Sequence, residues 1–473
     1  MITTMGYSST FGSSSIGFGS PLKLQSSLFV TSRRPSIPLS PTLLPLVSFS
    51  SHQKSVEGKP SVACTPALVH QLPVEILCDI FTYCHANASG EECGPKVTIS
   101  HVCRRWRTIV LCMPMLWTRI SLKHSTKGSI ERVAAYLRRS GSCTISVSIL
   151  ALHLSEDSVP SNLWALLHEH LNRLDSLKLE LRGSLRKPVE HLAGCQYPLL
   201  KDLDLRLQSC PGGEVDALFK AFQGAPLSSL VWRGEESIPK NAPWSMLTKV
   251  VITGSYTLGD ISTLLSQCHA AQEFSVDTIS GDGVVPAAIT SLPSLRTLSV
   301  YTFVNISRLL ENLHLPALDK VSIHNLLRPG VGRGWRSLES LLRRSECTLT
   351  KMVVWDKSLD DDQFIQLLRI PGLQKLSDLQ ILHPSISNDV LRVLSSDTAG
   401  SCILPDLAVL NLTSCHSDDG VLKQVLAPRF KTEASTKPLE LRVGFKGPHG
   451  IDDAFLQSLH ASGQHIEWYH RHS

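Results

Sequence analysis

From about residue 174 onward, apolar residues recur as Leu-x-x-Leu-x-Leu with substitutions. The second position falls at Leu177, Leu203, Leu230, Val250, Phe274, Leu298, Val321, Met352, Leu379 and Leu410, at intervals of 20 to 31 residues. Alternation of this kind predicts short strands with one apolar face. Each strand can bury that face only by lying beside its neighbours, so the expected product is a curved solenoid with helical return legs. Residues 161–174, with Leu163, Trp164, Leu167 and Leu171, and residues 361–368, with Phe364 and Ile365, have the spacing of such legs. Strands at 120–122 and 145–149, separated by a helix at 130–137, are expected to start the stack. A strand at 438–443 and a helix at 455–459 are expected to close it.

Upstream the period changes. Leu72, Ile76, Leu77, Ile80, Phe81 and Cys84 recur at helical spacing behind Pro73, which suits a first helical turn. A loop at 85–95 leads to a second predicted helix carrying Ile99, Val102, Cys103, Trp106, Ile109, Val110 and Met113, ended by Pro114 and followed by Leu116-Trp117. Two short helices this apolar need a partner surface. Residues 1–66 are rich in Ser and Pro without apolar periodicity and are expected to be a disordered leader. Their acid-free start with Arg33 and Arg34 also imitates a transit peptide, and that alternative stays open.

The elements at 67–118 resemble an F-box. The resemblance rests on Leu72-Pro73-Val74-Glu75-Ile76-Leu77, Ile80-Phe81, Val102-Cys103-Arg104-Arg105-Trp106-Arg107 and Leu116-Trp117. The interval between Phe81 and Val102 is longer than in common members and is similar to that of the F-box-like proteins abundant in fungi. Residues 119–473 resemble degenerate leucine-rich repeats. The expected architecture is thus α+β: a small all-α F-box, then an α/β leucine-rich-repeat-like solenoid, after a disordered tail.

The resemblance implies a non-catalytic client-recognition subunit of an SCF-type cullin-RING ubiquitin ligase. Leu72, Pro73, Ile76, Leu77 and Ile80 would bind a Skp-family adaptor and, through it, a cullin. Phe81, Val102, Cys103, Trp106 and Trp117 would form the F-box core, and the solenoid would hold an unknown client protein. A leucine-rich-repeat scaffold acting outside a ligase is the alternative, and a plain helical hairpin capping the solenoid is the alternative to an F-box.

Composition narrows this picture. Thirteen cysteines without CxxC pairs favour reduced thiols and a cytoplasmic or nuclear setting. The net charge of +5 is concentrated in the leader, where Lys23, Arg33, Arg34 and Lys54 precede the first acid, Glu57. Residues 96–139 hold ten Lys/Arg against the single acid Glu131. Aromatic stacking residues are few there, so a protein-facing or solvated basic surface is expected and nucleic acid is not. No apolar run approaches a membrane span.

Candidate chemistry is sparse. Gly330-Val331-Gly332-Arg333-Gly334 lacks the Lys-Ser/Thr of a phosphate loop, and His168-Glu169-His170 is not HExxH. Asp360-Asp361-Asp362 reads as charge at a helix N-terminus. No cofactor, metal or catalytic residue is expected. The position after the last Leu of the repeat, on the face opposite the core, reads Asp277, Tyr301, His324, Trp355 and Leu382. Tyr301, His324 and Trp355 are therefore the expected client-binding stripe, unless a register slip in the repeat before Met352 buries Trp355 as core.

Overall fold

The computed structural model describes residues 68–87, 94–123, 127–150, 161–234, 238–326, 334–356, 360–382, 386–395, 403–431 and 440–471. The chain divides into Met1–Pro66 and Ala67–Ser473. The expected leader and the Gly330–Arg333 turn lie outside the described residues. The second unit is helical at its start and then becomes a long parallel sheet backed by helices, with a separate two-stranded parallel sheet pairing Thr290–Ser291 with Leu313–His314.

Among the described residues, fourteen strands pair in chain order from Arg119–Leu122 to Ile466–Arg471, every pairing parallel. The repeat positions explain the order. Leu177, Leu203, Leu230, Val250, Phe274, Leu298, Val321, Met352, Leu379 and Leu410 are successive Cα partners along the sheet. All ten are buried. Register is firm because a one-residue slip would turn every apolar side chain of a strand to the outer face. The sheet continues in both directions, through Val147 and Ile120 at one end and Leu441 and Ile466 at the other. The closing strand Ile466–Arg471 has no counterpart in the sequence expectations.

Helices return along the back of the sheet, and arginines join successive legs. Arg173 donates to the carbonyls of Leu137 (2.8 Å) and Cys143 (3.0 Å) and to Ser140 Oγ (2.9 Å). Arg344 reaches Leu310 and Leu313, and Arg429 reaches Leu394, Ile403 and Leu404. Each fills the carbonyl vacancies that end a helix or turn in the preceding repeat. Asp360 caps the helix Asp361–Leu368 by accepting from Gln363 N at 2.8 Å. The leg expected at 161–174 is shorter: helix Ser161–His168 ends early, a 3-10 turn follows, and Leu174 already opens a strand.

The box contains three helices where two were expected: α1 (Val74–Ala86), α2 (Gly94–Ser100) and α3 (Arg104–Leu111). The expected second helix is broken at His101–Cys103. Cys103 is extended (φ −156°) and its Sγ accepts from Trp106 N at 3.5 Å, so it starts α3 instead of continuing α2. Ten described cysteines are free thiols. No helix among the described residues is long and apolar enough to cross a membrane.

Candidate functional site

Two surfaces carry the residues singled out from the sequence. The first is α1. An α-helix turns by about 100° per residue, so positions three and four apart share a face and adjacent ones do not. Leu77 and Phe81 point inward and are buried at 0% and 1% exposure. Ile76 (45% exposed), Ile80 (41%) and Tyr83 (72%) lie on the neighbouring flank of the helix, turned away from the core. Leu77, expected on the docking surface with Ile76 and Ile80, is therefore a core residue. Pro73 is exposed, and Leu72 packs partly against the core while its carbonyl accepts from Arg105 Nη2 at 2.7 Å. Tyr83 extends this apolar flank, and the exposed Met115 reaches the same helix at Thr82, whose Oγ1 lies 3.8 Å from its Sδ. Tyr83 was legible as the i+7 member of the series begun by Ile76, but Met115 was not, because it is brought in by a separate turn.

Behind that patch the box closes on aromatic rings. Phe81 and Trp106 meet edge to face, with centroids 5.0 Å apart. Trp117 donates Nε1 to Val110 O at 3.0 Å and lies against Tyr136 of the next helix, α4 (Lys127–Arg139), at 5.1 Å. Trp106 and Cys103 are only half-buried. Val102, expected in the core, is 55% exposed because it falls in the break between α2 and α3.

The basic run has a structural use. Lys96 is 2% exposed, donates to Arg119 O at 2.8 Å and sits 4.2 Å from the Tyr136 ring centre. Arg139 covers Trp117 at 4.5 Å, Arg107 Nε donates to Ser100 O, and Arg119 Nη1 donates to His85 O.

The second surface is the outer face of the sheet. Tyr301, His324 and Trp355 are Cα partners on adjacent strands Thr297–Thr302, Lys320–Asn325 and Lys351–Asp356. Tyr301 and His324 stack at 3.9 Å with 9° between planes, and His324 meets Trp355 edge-on at 5.8 Å. Met352 and Val354 fill the core, leaving Trp355 half-buried on the outer face, so the register does not slip. His324 itself is 6% exposed between the two rings. It spaces the stripe and presents little surface to a partner. Its Nε2 lies 2.9 Å from Ser322 Oγ, its Nδ1 is buried without a partner, and burial lowers its pKa to about 4. The stripe is also discontinuous at Asp277, because a register shift follows Val276. No group of three or more metal-ligating side chains forms among the described residues.

The F-box-like family model matches residues 69–123. Among solved structures, the crystal structure of a TLR13–ssRNA13 complex is similar over 63% of this chain and 48% of that one, with 15% identity and a TM-score of 0.29. The chain thus spans about half the length of that protein. No curated protein matches the chain.

Proposed function

We propose that this chain, which carries an F-box-like domain at residues 69–123, is the client-recognition subunit of an SCF-type cullin-RING ubiquitin ligase. The observation that carries the proposal is the apolar stripe Ile76–Ile80–Tyr83, left uncovered along one side of the first helix of the box. A Skp-family adaptor seated there would link the chain to a cullin. The outer face of the sheet around Tyr301 and Trp355 would hold the client.

The mechanism is tethering. A conjugating enzyme elsewhere in the assembly performs the chemistry, and this chain supplies effective concentration at the client's lysines. No residue here needs to be catalytic. Affinity capture of the tagged full chain tests the proposal. Adaptor and cullin should co-purify, and loss of both from an otherwise folded chain would overturn it.

A further inference from the structure

The outer face of the sheet is zoned by charge. Towards its N-terminal end the charges neutralise one another: Lys178 lies 3.0 Å from Glu180 and 3.4 Å from Asp204, and Arg233 lies 3.5 Å from Asp204. Asp277 differs. It is exposed and makes no ion pair within contact distance among the described residues; the charge of Arg233, held 3.5 Å from Asp204, still reaches it.

The next strand brings Tyr301 alongside. One face of the Tyr301 ring is covered by His324, so the other is turned back toward the strand Glu273–Gly281 that carries Asp277. The two groups sense each other: burial, and then the charge of Asp277, push the Tyr301 phenol up. The protein packed around its base raises the Asp277 carboxyl above its ordinary range, and the charge of Arg233 opposes that rise. Beyond His324 the surface becomes apolar, with Trp355 and Leu382 half-buried.

A carboxylate without a contact ion pair beside a half-buried aromatic ring is a cation site, since both attract the same ligand. We propose that Asp277 and the outer face of Tyr301 bind one cationic side chain, arginine or lysine, of an extended client segment whose neighbouring apolar residue lies on Trp355 and Leu382. The proposal rests on the reading of this face as the client surface. It adds the chemistry of what is recognised.

The test uses the full chain and fluorescent octapeptides from an apolar-flanked library, with arginine, lysine, citrulline or norleucine at the centre. Arginine and lysine peptides should bind at least tenfold tighter than citrulline or norleucine peptides. Asp277→Asn should erase the difference without lowering the melting temperature, Tyr301→Leu should weaken it, and Tyr301→Phe should keep it. Equal binding of arginine and citrulline peptides, or a preference that survives Asp277→Asn, overturns the cation site. If binding is charge-blind yet lost in Trp355→Ala, the cation site is wrong and the client face stands. If no peptide binds while adaptor capture persists, the assignment of this face fails with it.

Discussion

Replacing Ile76 and Ile80 with alanine separates docking from folding. Burying an isoleucine fully is worth about 1.5–3 kcal/mol. Ile76 and Ile80 are 45% and 41% exposed, so a little under half of that remains to be gained when an adaptor covers them. Together they should contribute roughly 1.3–2.6 kcal/mol to binding, a weakening of about 10- to 80-fold when both are removed. Leu77, one residue away and fully buried, provides the control. Leu77→Ala removes packed core and should destabilise by ~2–5 kcal/mol. Calorimetric titration of a purified Skp-family adaptor gives the affinities, and thermal melting of each free chain gives the stabilities. The double variant should bind weakly and melt near wild type, whereas Leu77→Ala should melt clearly lower. An unchanged adaptor affinity in the double variant would refute the assignment of this stripe, and a melt as low as that of Leu77→Ala would mean both residues belong to the core.

Three other outcomes follow from the geometry. Trp355→Ala should lower the melting temperature less than Leu379→Ala, because Trp355 is half-buried and Leu379 is fully buried; the reverse order, by calorimetry, would make Trp355 core. Histidine in an unfolded chain titrates near 6.5 and His324 at about 4, so the unfolded state binds more protons between these values and stability falls as pH drops through that window. The loss should reach roughly 3 kcal/mol and be absent from His324→Gln; His85, also lowered to about 4, is present in both chains and cancels in the difference. Arg429→Met strands the carbonyls of Leu394, Ile403 and Leu404 and should cost ~3 kcal/mol or more in denaturant melts, with Arg429→Lys recovering only part.

What the chain announces about itself, and what it conceals, divides along physical lines. Strand positions were readable because the repeat imposes a period of two, and a slip would expose whole apolar sets such as Leu298 and Val300. The same rule placed Tyr301, His324 and Trp355 side by side. It could not reveal that His324 is enclosed by its neighbours, because ring stacking depends on side-chain angles that alternation leaves free. In the box the apolar residues outnumber those one face can bury. Ile76, Leu77, Ile80 and Phe81 satisfy a helical pattern together, and only the angle between successive residues separates Leu77 and Phe81 from Ile76 and Ile80. The break at Cys103 was hidden because a thiol is a weak helix cap, seldom read as a stop.

The basic run near residue 100 was the least readable feature, since its charges suggest a surface while Lys96 and Arg107 are spent on internal carbonyls and Arg139 on a ring face. Charge counting finds partners outside the molecule only after the internal acceptors have been subtracted. Applied to the outer face of the sheet, that subtraction leaves Asp277 as the carboxylate beside the aromatic stripe without a contact ion pair among the described residues, the nearby Arg233 being held by Asp204, which is why one acid carries more information about a ligand than ten bases do.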